Sequence, residues 1–224
     1  MGKKAAELVV GQEGRLDAVS LKRLKGIYLK SFPPSERDAF RKLAQHMFEG
    51  RGCLFTPRLG GELVGFAVTM PLPRTDAHFL QYLAVAPRFR DRGVGGKLLG
   101  TVRQKLRRAG NASGLILEVE PDDRAPKKAL RKRRIEFYRR NGARIVECAP
   151  HYRAPGPAGH GALDYMLMWL PFRGTPETPC GAVLKRLVRS IFVYGYGCHA
   201  DEPLLRAVLR GLLRRHPQAE AARP

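Results

Sequence analysis

The chain has 224 residues, enough for one sizeable domain or for one domain with an appendage. Hydrophobic residues make up 44 % and charged residues 27 %, which excludes wholesale disorder. Lys and Arg number 41 against 20 Asp and Glu, a formal net charge of +21. That excess points to an anionic partner (nucleic acid, acidic lipid or a phosphate-bearing cofactor) and speaks against a strongly acidic ligand surface, although compositional bias toward arginine explains much of it equally well.

In chain order, residues 7–10 read as a short lead or first strand. From Asp17, Leu21, Leu24, Ile27 and Tyr28 recur at helical spacing until Phe32-Pro33-Pro34, where proline forbids continuation. Ser35 with Asp38 three residues on has the form of a capping box, predicting a second helix from there to Phe48. The period then changes: 53–57 and 62–70, separated by Gly60-Gly61, predict a hairpin, and 79–85 a further strand. Residues 97–109 form an amphipathic helix, 115–119 a buried strand, and 128–140 a helix capped by Asn141-Gly142. Strands follow at 144–148 and 163–170, joined by a Gly/Pro-rich loop, 149–162. Two amphipathic helices close the chain, 182–193 and 203–215, the second with Asp201 as expected N-cap. The order is that of an α/β (α+β-like) fold, a mixed central sheet flanked by helices. A change in character after Pro171 divides it into residues 1–170 and a helical extension, 171–224.

Cys53, Cys148, Cys180 and Cys198 include no C-x-x-C pair, which speaks against a zinc finger or redox dithiol. No signal peptide and no membrane-spanning run is expected, and a reducing cytoplasm fits.

The most informative segment is LQYLAVAPRFRDRGVGGKLL, residues 80–99. A strand runs into a turn holding Arg90-Asp91-Arg92-Gly93-Val94-Gly95-Gly96, and an amphipathic helix follows at once. Glycine lets a bulky ligand approach the backbone, and free N–H groups at a helix start suit a pyrophosphate. G-x-x-x-x-G-K-[ST] is absent, which argues against a P-loop, and G-x-G-x-x-G is absent, which argues against a dinucleotide fold. A tight turn with no ligand remains the plain alternative.

The segment resembles the acetyl-CoA-binding motif of the GNAT superfamily of N-acetyltransferases, [Arg/Gln]-x-x-Gly-x-[Gly/Ala], here Arg90-x-x-Gly93-x-Gly95. Leu117-Glu118-Val119 followed by Ile135-Glu136-Phe137-Tyr138-Arg139-Arg140-Asn141-Gly142-Ala143 resembles the family's second signature, in which a Tyr precedes an N-G or L-G turn. The likeness covers about residues 15–170. It implies the GNAT acyltransferase fold and transfer of an acetyl group from acetyl-CoA to an amine. The amides of Arg90, Asp91, Arg92, Gly93, Val94, Gly95 and Gly96 would hold the pyrophosphate, with Arg88 and Lys97 adding charge. Ala84 and Val85 would pair with the pantetheine arm, and the Leu83–Ala84–Val85 stretch would offer a backbone N–H to the thioester oxygen. Tyr138 would be the acid that protonates the leaving thiolate; it also suits a core position on its helix.

The chain departs from the family pattern in two places. The Asn usual at the start of the last helix has no counterpart in the longer connection 121–131, which carries Asp122, Asp123, Lys127 and Lys128. Where many relatives have a carboxylate before the glycine turn, this chain has Gln81, which is no base. Glu118 and Glu120 share a strand face and are the candidate bases, or else structural partners of nearby arginines. His78 and Glu36 are weaker candidates for the base, Tyr152 a candidate for the acceptor side, and Cys198-His199 a remote metal candidate. The basic run Lys127, Lys128, Arg131, Lys132, Arg133, Arg134, Arg139 and Arg140 suits a nucleic-acid face, a funnel for polyanionic CoA, or a solvated helix face.

The expected protein is therefore an acetyl-CoA-dependent N-acetyltransferase acting on a small-molecule or protein amine, with no metal and no membrane partner. A nucleic-acid partner is compatible but not required, and a homodimer is left open. The rival readings are a non-catalytic acyl-CoA-binding regulatory module and a basic RNA- or ribosome-associated protein.

Overall fold

A computed structural model describes residues 6–110, 112–122, 127–157, 161–173 and 177–213. The architecture is mixed α/β, a central mixed sheet flanked by helices, and the chain divides into two compact units.

The first unit takes residues 1–70 and 80–105. It opens with β1 (Leu8–Glu13) and α1 (Ala18–Ser31), whose N-cap Asp17 accepts the Ser20 amide. The expected capping box at Ser35 does not form. Pro34–Glu36 is instead a 3-10 turn, and α2 begins later, at Phe40–Phe48, with no side-chain cap. Proline fixes that turn, and Asp38 is drawn to Lys42, 3.2 Å away. β2 (Cys53–Leu59), β3 (Glu62–Leu63) and β4 (Gly65–Pro71) make the hairpin, and β5 (Ala77–Val85) completes the order β1-β2-β4-β5, with β3 paired to β2. α3 (Val94–Arg108) follows β5 through a 3-10 turn, Pro87–Phe89. Leu24, Tyr28, Leu43, Leu54, Phe66 and Val68 form this unit's core.

The second unit takes residues 71–79 and 106–224. β6 (Gly114–Val119), α4 (Lys128–Arg140) and β7 (Arg144–Ile145) come first. The loop expected over 149–162 carries a small ladder, β8 (Arg153–Ala154) with β9 (Leu163–Asp164), Arg153 facing Asp164. β10 (Met166–Pro171) runs antiparallel to β6 and to β7, in the order β6-β10-β7. α5 (Gly181–Ser190) continues into a π-helical segment, Ile191–Tyr196, that ends at left-handed Gly197, and α6 (Pro203–Gly211) is last. Its N-cap is Glu202 rather than Asp201, because Pro203 fixes the first helical position; Arg214 and Arg215 lie outside the described residues. Leu184, Leu187, Ile191, Phe192 and Leu205 are fully buried with Tyr152, Leu167 and Trp169, so residues beyond 171 are core-forming members of this unit.

Cys148 and Cys180 form a disulfide, which their spacing in the sequence does not suggest. It ties the residue before α5 to the segment after β7.

Candidate active site

The glycine turn belongs to the first unit. Pro87 stops β5, and the buried Phe89 anchors the 3-10 turn. Asp91 (φ 59°) and Gly93 (φ 74°) are both left-handed, and α3 starts immediately at Val94. Only glycine takes that conformation without strain at Gly93. Val94 is 4 % exposed and pins the helix start, whereas Arg90 to Gly93 are exposed and Gly95 and Gly96 partly so. The first amides of α3 have no carbonyl a turn earlier to accept from them, and the positive end of the helix dipole lies with them. An exposed row of such amides, beside two residues without Cβ, fits a pyrophosphate.

The basic side chains are engaged with the protein. Arg88 pairs with Glu62 and lies over the Phe89 ring, 4.8 Å from its centre, with Arg92 at 6.0 Å. Arg90 Nε donates to the Val85 carbonyl at 3.0 Å, and Lys97 donates to the Leu8 carbonyl. They brace the turn, and the end of β5 in particular. Gly65 of β4 allows close approach there: a Cβ would stand 2.6 Å from the Ala84 carbonyl oxygen. Leu83 and Val85 are partly exposed and Ala84 is buried.

The carboxylates and Tyr138 belong to the second unit. Glu118, partly exposed on β6, accepts a hydrogen bond from Tyr152 Oη at 2.5 Å and another from Tyr196 Oη. Its removal from bulk water pushes its pKa up to about 7, against the opposing pull of both phenols. Glu120, just past the strand end, is gripped by Arg131 at 2.9 Å and Arg134 at 3.0 Å, tying β6 to α4. Two carboxylates two residues apart thus have quite different surroundings: one meets phenols, the other guanidiniums.

Tyr138 lies on the inward face of α4, with the Phe137 ring edge-on at 5.1 Å. Burial pushes its phenol up to about 12, so it is protonated at neutral pH. Asn141 and Ala143 amides donate to its carbonyl, closing the helix at the N-G turn.

Among the weaker candidates, Glu36 sits in the 3-10 turn of the first unit, and Gln81 is bonded to His46 Nδ1 at 3.3 Å. His78 has a partly buried ring whose pKa burial lowers. Tyr152, expected on the acceptor side, turns to Glu118. Asp123 lies outside the described residues. Among the described residues, no cluster of three or more His, Cys, Asp or Glu ligands occurs. Tyr196 has no counterpart among the residues expected from sequence. It stands in a Tyr-Gly-Tyr-Gly run inside a helix-like pattern, a run that carries no cue to a carboxylate 78 positions earlier.

The profile of the acetyltransferase (GNAT) family matches residues 21–143. The chain belongs to the GNAT family. The acyl donor of that family is acetyl-CoA, and this chain is an acetyltransferase by membership. Solved GNAT folds resemble it along most of its length. An acetyltransferase described as GNAT from Bacteroides thetaiotaomicron superposes with a TM-score of 0.69 at 21 % identity, covering 85 % of this chain and 99 % of its own. An aminoglycoside 6'-N-acetyltransferase complexed with coenzyme A gives 0.60 at 19 % identity, covering 75 % and 99 %. The ribosomal-protein-S18-alanine N-acetyltransferase of Escherichia coli gives 0.52 at 20 %, covering 77 % and 99 %. At these identities the likeness speaks for the fold. No curated protein sequence matches the chain. Among the described residues, no helix is long and apolar enough to cross a membrane.

Proposed function

We propose that this GNAT protein transfers the acetyl group of acetyl-CoA to an amine of a small molecule or a protein, with residues 1–170 as the acetyltransferase domain and 171–224 as its helical extension. The observation that carries the amine is Glu118. Amines are protonated at neutral pH and need a base, and a partly exposed carboxylate held at about 7 is matched to that task. Glu120, committed to two ion pairs, serves better as a tie between β6 and α4.

Bound acetyl-CoA would supply the thioester carbonyl. The amides of Asp91 to Gly96 would hold its pyrophosphate, the Arg90 amide being spent on the Pro87 carbonyl at 3.2 Å, with the Lys97 and Arg90 side chains bracing the turn. Glu118 takes the proton of the attacking amine. A backbone N–H in the Leu83, Ala84, Val85 stretch would serve the oxygen on which negative charge develops, a type of contact worth about 3–4 kcal/mol in comparable sites. Tyr138 would donate its phenolic proton to the departing sulfur. The net charge of +21 sets the acceptor class against polycations such as aminoglycosides and toward neutral or acidic amines.

The test is a panel of amine acceptors, neutral, acidic and peptidic, assayed by thiol release from acetyl-CoA. Turnover with a neutral or acidic amine that disappears in Glu118→Gln supports the reading; acyl transfer only to hydroxyls, or no loss in Glu118→Gln, overturns it. A cytoplasmic location belongs to the same proposal. Cysteine alkylation in rapidly quenched cells checks it: disulfides are rare in the cytosol, so the Cys148–Cys180 bond of the structure should be found reduced there, and a fully oxidised pair overturns that location.

A further inference from the structure

The carboxylate proposed as base is held from two sides, and one of them is the extension. Tyr152 reaches Glu118 from the segment between β7 and β8, and Tyr196 from the last position of the π-helical segment. Both ring hydroxyls donate to opposite oxygens of the same carboxylate, Oε1 and Oε2. The rings are set by a common neighbour: Phe192 meets Tyr152 edge-on at 6.4 Å and Tyr196 at 6.1 Å. Gly195 lets the segment come against Phe79, whose ring a Cβ would meet at 3.4 Å. π-helical turns re-aim side chains within a helix, and they recur at functional sites. Here the turn directs Tyr196 to β6.

We infer that Tyr196, a residue of the extension, is a positioning residue for the base: with Tyr152 it orients the Glu118 carboxylate and stabilises its charged form. This rests on Glu118 being the base. Two phenolic donors favour the carboxylate, and the apolar surroundings disfavour it; the balance sets where the group titrates. Among the described residues, Tyr165 also acts on both tyrosines and Cys198 on Tyr152. Arg131 and Arg134 of α4 pair with Glu120 instead. The extension is then part of the catalytic apparatus, because it determines the protonation of a residue on the central sheet.

The experiment is a carboxyl titration of the full chain by NMR with 13C-labelled glutamate, the Glu118 signal being assigned by its loss in Glu118→Gln. Tyr196→Phe removes one donor and leaves the ring. The expected result is an upward shift of the Glu118 midpoint by about one pH unit, the usual worth of one hydrogen bond to a charged group. A midpoint unchanged in folded Tyr196→Phe overturns the inference. Should that variant not fold, 3-fluorotyrosine placed at position 196 keeps the packing and makes a stronger donor; the midpoint then moves down, and an unmoved midpoint is again decisive against it. The two readings fail separately. If Glu118→Gln retains full acetyl transfer while the midpoint still responds to position 196, the base assignment falls and the contact stands. If Glu118→Gln is inactive and the midpoint ignores position 196, the base stands and the positioning role falls.

Discussion

Glu118 and Tyr138 are the proposed base and acid, and their surroundings set them apart. Burial raises both pKa values, but the consequences are opposite: the carboxyl is brought to about 7, where it accepts protons, and the phenol to about 12, where it keeps one to give. Tyr138→Phe should lower turnover by about 10²-fold or more, the range for a general acid, while leaving the affinity for coenzyme A nearly unchanged. Calorimetric binding beside steady-state rates checks it, and undiminished turnover would remove the acid role. Glu118 also bears on stability. Its pKa is higher in the folded chain than the ordinary 4.5, so the folded state binds the proton more tightly. Stability from this residue is therefore greatest below about 4.5 and declines as pH rises toward about 7, by at most about 3 kcal/mol. Urea unfolding from pH 4.5 to 8 should show that fall in the wild type, and a flatter profile in Glu118→Gln.

At the scale of elements, the strand–turn–helix around Gly93 was the most legible part of the fold. Its determinants are local: a proline that stops a strand, glycines where the backbone turns left-handed, and an apolar stripe on the next helix. The start of α2 was misread because a capping-box pattern is only permissive, and Pro33-Pro34 imposed a tighter turn first. The β8–β9 ladder escaped because two-residue strands leave no period to detect. Long-range partners escaped for a different reason. Nothing local in Cys148 or Cys180 names the other, and nothing in Tyr196 names Glu118. Of the candidate site, then, the turn and the residue types on β6 and α4 were readable, while the environments that separate Glu118 from Glu120 were not. The disulfide closes a segment of sequence separation 32, and the loop-entropy relation gives it about 3–4 kcal/mol. Cys180→Ser, or reduction of the wild type, should lower stability to denaturant by an amount of that order.

For the whole molecule, the charge of +21 now has a more specific distribution. Arg88, Arg90 and Lys97 brace the glycine turn from within, and Arg131 and Arg134 secure β6 to α4. The proposed cofactor site would draw its anion affinity chiefly from backbone amides, which side-chain titration does not touch. Acetyl-CoA at about 100 times its dissociation constant should add about 2.7 kcal/mol to stability and raise the melting temperature by about 5–10 °C for a chain of this size. Gly93→Ala, strained at φ 74°, should blunt that rise while preserving secondary structure. Differential scanning calorimetry of the two proteins with and without acetyl-CoA distinguishes the cases, and no ligand-induced rise in the wild type would contradict the cofactor assignment.

The phenol pair on Glu118 also gives the molecule a reactivity map. Burial beside a carboxylate pushes Tyr152 and Tyr196 well above the usual phenol range, and nitration requires the phenolate. Tyr194, two positions from Tyr196, is 43 % exposed. Mild tetranitromethane treatment should therefore mark Tyr194 and spare Tyr196, so that one short peptide reports, by mass spectrometry, whether the extension is seated.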